Sequence, residues 1–359
     1  MYIKRTCILV ALFLFFAMSG KTQDYGKTTI ADLVLIYHGG VHRPLEWTKE
    51  DFIPYVVHKD SKGNKNWLFD GFLFLEFKDG KGRDYAPGYS KQNARKPEWE
   101  WLLDRNFQKD RAFSALDQCI SEQGEELAAP AFNHKLIAGI PSPIKNQKDW
   151  GEINGKPLDF SKQEDRLEAA KWYVDKFIAR YKKEAYKNLD LEGLYWVDED
   201  VNGCADILIP LGDYIRSKGL KFVWIPYWHA PGYDEWEKYK FDFAWMQPNH
   251  FFNKKIEDER IDQACAFAQN KNMGVEMEFD SRALTDNPNN MRSRLVSYID
   301  GFEKNKVFSE ASIAYYEGGK GFYDFYKSTN PKDKELIDRL AKHIINRKKK
   351  YFLRILPTE

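Results

Sequence analysis

The chain has 359 residues, enough for one large barrel domain or two ordinary ones. Lys+Arg at 55 against Asp+Glu at 54 leaves a formal net charge of +1, which excludes the basic footprint that nucleic-acid binding needs. Aromatic residues make up 16% of the chain; part of this must be core, and flat rings of the same kind stack on the apolar faces of sugars.

The first element is a targeting segment. Lys4 and Arg5 form a positive start, residues 7–18 are an apolar run, and Ala17-Met-Ser19 offers a small-x-small cleavage pattern. The run is short for a membrane span. The expectation is a signal peptide over residues 1–19, a secreted or periplasmic mature chain, and no stable membrane insertion after cleavage. Cys119, Cys204 and Cys265 then remain, odd in number and without a C-x-x-C. One disulfide and three buried thiols are both open readings, and neither a disulfide framework nor a zinc site is indicated.

Strand-like runs follow at 32–39 and 69–77, then a polar, turn-rich stretch at 78–98 and a helical stretch at 109–123. A third strand at 135–140 leads into a second turn-rich stretch at 142–159. The clearest helix spans 161–186, with Ser161 and Glu164 spaced as a capping box and an apolar stripe from Leu167 to Tyr181. Strands at 191–197, 221–226, 241–247, 274–279 and 312–317 alternate with helices at 205–218, 258–272 and 290–305. A last helix covers 333–349. Its basic run Arg347-Lys-Lys-Lys350 reads as a solvated helix end, because cations favour helix C-termini.

The strand runs are continuously apolar, the mark of parallel strands covered on both faces. Eight of them alternating with helices predict an α/β protein, a (β/α)8 TIM barrel in a single domain over 28–330, with residues 331–359 as a C-terminal helix and tail packing on it. A doubly wound open sheet is the alternative. No G-x-G-x-x-G or G-x-x-x-x-G-K-[ST] occurs, so no nucleotide cofactor is indicated. The oligomeric state is not written in this pattern.

In such a barrel, active sites lie at the C-terminal ends of the strands. The polar residues there are His38, Glu76, Glu199, Trp228 with His229, Gln247 with Asn249, Glu276 with Glu278, and Tyr316 with Glu317. Alternation puts Tyr195, Val197 and Glu199 on one face of the fourth strand and Trp196 and Asp198 on the other. Glu199 ends its apolar run, where a carboxyl is both desolvated and reachable. Glu278 holds the comparable place on the seventh strand, with Glu276 one layer deeper. These two carry the catalytic expectation, and the others are candidate sugar contacts, with Trp228 as a stacking platform. Asp200 and Asp280 read as caps. Asp198-Glu-Asp200-Val-Asn202-Gly203 matches the start of a calcium loop, but Ile209 stands where that loop needs Glu, so no metal is assigned.

The motifs Tyr195-Trp-Val-Asp-Glu199 and Val275-Glu-Met-Glu278 resemble barrel glycoside hydrolases whose acid/base Glu ends strand four and whose nucleophile Glu ends strand seven. With Tyr315-Tyr-Glu-Gly-Gly319, they resemble more closely an exported bacterial family of barrel domains of unknown function, over most of residues 30–330. Asp198 departs from the hydrolase pattern, where many members carry Asn. The resemblance implies an exported glycoside hydrolase acting on a polysaccharide or glycan, in a retaining mechanism with Glu199 as acid and Glu278 as nucleophile. The alternatives are a non-catalytic glycan-binding barrel and a metal-dependent hydrolase using strand-end histidines and carboxylates.

Overall fold

The computed structural model describes residues 26 and 28–355. The segment read as a signal peptide lies outside them. Eight strands form a closed parallel barrel: β1 (Asp32–Tyr37), β2 (Gly71–Leu75), β3 (His134–Ile140), β4 (Leu189–Trp196), β5 (Lys221–Trp224), β6 (Phe243–Met246), β7 (Gly274–Glu278) and β8 (Ile313–Tyr316). Each pairs with its sequence neighbours, and β1 closes the ring by pairing with both β8 and β2. This is the TIM barrel expected from the eight apolar runs.

The strands are apolar on both faces because both are covered. Outward residues meet helices: Phe72 and Phe74 of β2 lie against Phe52 of α1 (Lys49–Val56). Phe74 also meets Phe113 of α3 (Ala112–Glu126) edge-on, with ring centroids 4.8 Å apart. Inward residues fill the barrel. Trp245 of β6 lies across its floor and donates Nε1–H to Ser312 Oγ at 2.9 Å. Its β7 partner is Gly274, where a Cβ would run into the Trp245 ring.

Four helices escape the sequence reading, two of them short ones at Val307–Glu310 and Gly321–Lys327. α1 is only eight residues long and holds Pro54, so its periodicity is short and interrupted. α2 (Lys96–Asn106) begins inside the stretch read as turn-rich loop. The long helix α4 (Gln163–Glu184) starts two residues later than expected, and the capping box does not form. Ser161 Oγ bonds Asp159 at 2.7 Å instead. α5 (Ala205–Ser217), α6 (Glu259–Asn270) and α7 (Arg292–Lys304) follow β4, β6 and β7. Between β5 and β6 the connection holds only a short 3-10 turn at Tyr233–Glu235. Cys119, Cys204 and Cys265 are buried free thiols. No helix among the described residues is long and apolar enough to cross a membrane.

The basic run near the C-terminus corrects its reading. It belongs to a helix over Pro331–Ile355, and Arg347 and Lys348 are 6% and 5% exposed rather than solvated. They reach the floor of the barrel. Arg347 Nη1 donates to Asp32 Oδ1 at 2.7 Å, and Lys348 Nζ bridges Asp32 Oδ2 at 3.0 Å and Asp70 Oδ1 at 2.5 Å. Asp70 also accepts the N–H of Ala31 and of Asp32, and Asp32 accepts the Tyr315 hydroxyl. Tyr315 is thereby committed to the floor, and Tyr316 alone of that pair faces the other end.

Buried charge is tolerated only when paired and hydrogen-bonded, and removing one partner leaves the other stranded. Lys348→Met should therefore cost about 3–5 kcal/mol of folding stability, read as a lower denaturation midpoint in urea. A change under about 1 kcal/mol would show that the lysine is not holding the two aspartates.

Candidate active site

The strand ends opposite that floor carry the chemistry. β4 ends at Trp196 and the chain runs on through Val197 to Glu199. Trp196 turns outward against Phe222, and Trp224 Nε1 donates to the Asp198 carbonyl at 2.7 Å. The alternate residues, Tyr195 and Glu199, face the axis. Glu199 is half-buried, and Tyr89 from the long loop after β2 donates its hydroxyl to Oε2 at 3.3 Å.

Two further carboxylates share this space. Glu278 is fully buried. Its Oε2 accepts the His250 N–H at 2.8 Å and the Tyr298 hydroxyl from α7, while Oε1 has no hydrogen-bond partner. Glu276 lies one layer deeper at 1% exposure, and its Oε1 is also unpartnered.

The environments push the three proton affinities apart. Burial lifts the Glu199 carboxyl to about 7; the Tyr89 hydrogen bond and the Arg43 charge hold it down, and Glu278 pushes it up. Burial also raises Glu278, but the Tyr298 hydroxyl and the His250 and Phe251 N–H groups oppose it, as does the Gln247 amide. Glu276 has no such donors, so burial and then its neighbours Glu278 and Glu199 hold it well above the usual carboxylate range. Glu278 is the member best supplied with donors to its ionised form, and Glu276 the one whose surroundings most oppose ionisation.

Aromatic rings wall the mouth. Tyr37 ends β1, and the Arg43 guanidinium lies over its ring at 3.9 Å. Arg43 also donates to the Tyr316 hydroxyl and to the Gly318 carbonyl. Tyr89, 42% exposed, stacks on Phe77 with centroids 4.5 Å apart. Phe252, 37% exposed, meets Tyr316 edge-on at 5.4 Å. Tyr227 and Gln247 pair across the ends of β5 and β6, and Gln247 Nε2 donates to Asn249 Oδ1 at 2.7 Å. A cavity of about 510 Å³ opens at the opposite end, beside Trp67, His134 and Asn188, but holds none of the inward carboxylates.

Of the residues expected at the site, the structure brings together Glu199, Glu278, Glu276, Gln247, Asn249 and Tyr316. Five others belong elsewhere, because their strand parity is outward or they lie beyond the barrel wall. His38 is buried between Phe74 and α2; burial holds its pKa at about 3, so it is neutral, and its ring nitrogens have no partner. Glu76 accepts the His38 N–H at 2.6 Å and fastens the loop after β1. Glu317 does the same for the last loop, accepting the Tyr55 hydroxyl at 2.8 Å and the Phe322 N–H at 2.6 Å. Trp228, partly buried, packs edge-on against Phe267 of α6 and stacks on His229, which is exposed with φ +65°. Asp280 caps a 3-10 turn through Arg282 N–H, as expected. Asp200 does not cap α5; it accepts the Asn202 N–H in a local turn.

The sequence places Tyr37, Arg43 and Tyr227 at strand ends without assigning them a role, and it gives no sign of Tyr89, Phe252 or Tyr298. Parity applied to every strand end finds Tyr37 and Tyr227. Nothing local marks Tyr89, Phe252 or Tyr298, which arrive from loops and a helix. Among the described residues no group of three or more His, Cys, Asp or Glu is arranged to hold a metal ion.

Residues 32–342 match the model of a family described as "Domain of unknown function (DUF4855)". No curated protein matches the sequence. Similar solved structures include a family 18 chitinase from Crocus vernus, 14% identical, covering 86% of this chain and 99% of that one at TM-score 0.42. A GH113 β-1,4-mannanase is 11% identical, covering 90% and 99% at TM-score 0.43. The tryptophan synthase A-subunit of Pyrococcus furiosus is 10% identical, covering 90% and 100% at TM-score 0.39. None of the three bears on the reaction.

The raised Glu199 affinity has a consequence for stability. Between about pH 4.5 and 7 the unfolded chain releases this proton and the folded chain holds it, so stability falls as pH rises through that window. Glu199→Gln, which never ionises, should unfold at the same temperature as the wild type near pH 4 and at a higher one at pH 8. Equal midpoints at both values would rule out a raised Glu199.

Proposed function

This chain belongs to the DUF4855 family, a domain of unknown function, and we propose that it is an exported glycoside hydrolase that cleaves O-glycosyl bonds in a polysaccharide or glycan. One observation carries the reading. Two carboxylates at the ends of β4 and β7 face one aromatic-walled space; burial raises both, and Glu278 is the one surrounded by several donors that oppose the rise. Export rests on the N-terminal pattern alone.

Glu199, protonated up to about pH 7, gives its proton to the leaving glycosidic oxygen as the C–O bond breaks. Glu278, held toward its ionised form by Tyr298 and the His250 N–H, attacks the anomeric carbon through its unpartnered Oε1. The glycosyl ester is then hydrolysed by water, which loses its proton to the Glu199 carboxylate, and Glu278 is released. This double displacement retains the anomeric configuration. Glu276 offers a hydrogen bond to a sugar hydroxyl through its unpartnered Oε1, with Gln247, Asn249 and Tyr316 around it. Tyr89 and Phe252 supply exposed ring faces for neighbouring sugars.

A second reading is favoured by one fact: Glu278 has no exposed surface. A barrel that binds glycan at this mouth without turning it over fits that closure. A metal-dependent reading gains nothing from the strand-end imidazoles, since His38 is buried against the helices and His229 lies outside the wall.

Screening plant, algal and host glycans with the mature chain separates these readings. Glu199→Gln and Glu278→Gln should each lower kcat by about 10²–10⁴-fold. The wild-type kcat/KM should fall above about pH 7 as Glu199 loses its proton. Sugar binding without product would support the second reading, and full activity in both variants would sink the hydrolase assignment.

A further inference from the structure

Arg43 is a half-buried cation at the mouth that makes no direct ion pair among the described residues; the Glu76 and Glu199 carboxyls act on it only from beyond ion-pair distance. Its hydrogen-bond partners are the Gly318 carbonyl at 2.6 Å, the His42 ring at 2.9 Å and the Tyr316 hydroxyl. Burial, then the Arg43 and Lys78 charges, hold the His42 pKa at about 4, so that ring is neutral. A guanidinium carries five N–H donors, and these contacts use three of them. The other arginines around the mouth are neutralised: Arg282 pairs with Asp280 at 2.7 Å and Arg105 with Glu46 at 2.8 Å.

Partly desolvating a cation that no carboxylate contacts directly is costly, and the face of Tyr37 and the more distant carboxyls offset only part of that cost. The arrangement also fixes the guanidinium. Tyr37 lies beneath its plane, and two side-chain contacts and one backbone contact hold its edge. A planar fork immobilised this way suits an oxyanion with two or more oxygens, which it binds bidentately. Its charge acts on Glu199, so the anion it receives sits beside the carboxyl proposed as the acid. Lys78 at the rim donates its Nζ to the Tyr89 carbonyl at 2.6 Å and is paired with Asp84 at 3.9 Å, so it leaves Arg43 as the cation there without a direct ion pair.

We propose that Arg43 is the specificity-determining residue of this mouth and that it receives the anionic group of an acidic sugar, a uronate carboxylate or a sulfate ester. The proposal rests on reading the mouth as a glycan site. It does not require that the glycan be cleaved. Neutral sugars leave the guanidinium as it stands, whereas an acidic sugar supplies an anion in direct contact with it.

The test is calorimetric binding to the Glu199→Gln protein, in which turnover is suppressed. The probes are tetramers of galacturonate and glucuronate, their neutral methyl esters, and a sulfated galactan tetramer with its desulfated counterpart. The charged form should bind on the order of ten- to a hundredfold more tightly than its neutral match. Arg43→Gln should erase that ratio, and Arg43→Lys should keep part of it, since an ammonium retains the charge but not the fork. A preference confined to uronates identifies the carboxylate as the group, and one confined to the galactan identifies the sulfate. Equal binding of charged and neutral probes, no binding of any charged probe, or a preference that survives Arg43→Gln would overturn the proposal. The charged-to-neutral ratio on protein with Arg43 intact decides the matter even if the substitution unfolds the loop. Charge-selective binding with no turnover by the protein that keeps Glu199 would remove the hydrolase reading and leave this one standing.

Discussion

Eight parallel strands closed into a barrel leave each side chain two directions, toward the axis or toward the helices. That alternation governs everything at the C-terminal end. On β4 it sends Trp196 and Asp198 to the wall and Tyr195 and Glu199 to the axis. On β7 it sends Val275 and Met277 outward and brings Glu276 and Glu278 inward, stacked one above the other. On β8 it splits the tyrosine pair, committing Tyr315 to Asp32 at the floor and Tyr316 to the mouth.

The same residue type therefore does two different jobs at neighbouring strand ends. Glu76 and Glu317, on outward parity, accept backbone N–H groups from loops, Glu76 from the loop after β1 and Glu317 from the loop after β8, and hold those loops to the barrel. Burial still raises both, Glu76 to about 7 and Glu317 well above its usual range. Glu199, Glu276 and Glu278, on inward parity, meet one another instead, and their mutual repulsion adds to burial. A raised affinity is common to both sets and does not by itself identify chemistry. The distinction lies in what each carboxyl faces. Each of these four carboxyls keeps one unpartnered oxygen, but Glu76 and Glu317 turn their other oxygen to loop backbone on the outward side, while Glu276 and Glu278 lie on the inward side of β7.

The two ends of the barrel resolve buried charge in opposite ways. At the floor, Asp32 and Asp70 are neutralised by Arg347 and Lys348 from the last helix, so the carboxylates are paired and closed off. At the mouth, three carboxyls stand without an ion-pair partner and one guanidinium stands over an aromatic ring. Paired charge gives a fixed base, and unpaired charge leaves interactions to be completed by something bound. The C-terminal helix thus belongs to the barrel, because the floor has no other cations at hydrogen-bond distance from those two aspartates among the described residues.

The amino-acid sequence alone determined the strands, their number and their parallel arrangement, because buried parallel strands are continuous apolar runs that periodicity registers directly. It also determined Glu199, Glu276, Glu278 and Gln247, since strand position and parity are local properties. Helices that are short or proline-bearing, such as Lys49–Val56, carry too few periods to be seen. Only the tertiary structure decided the rest. The direction of His38, Glu76 and Glu317 depends on how the barrel closes. The partners of Glu278 come from α7 and from the loop after β6, and that of Glu199 from the loop after β2, segments separated by 20 to 110 positions in the chain. The fate of Arg347 and Lys348 depends on contacts more than 300 positions away at Asp32. Contacts of that span are set by packing and by the neutralisation of buried charge, and no local window of sequence contains both partners.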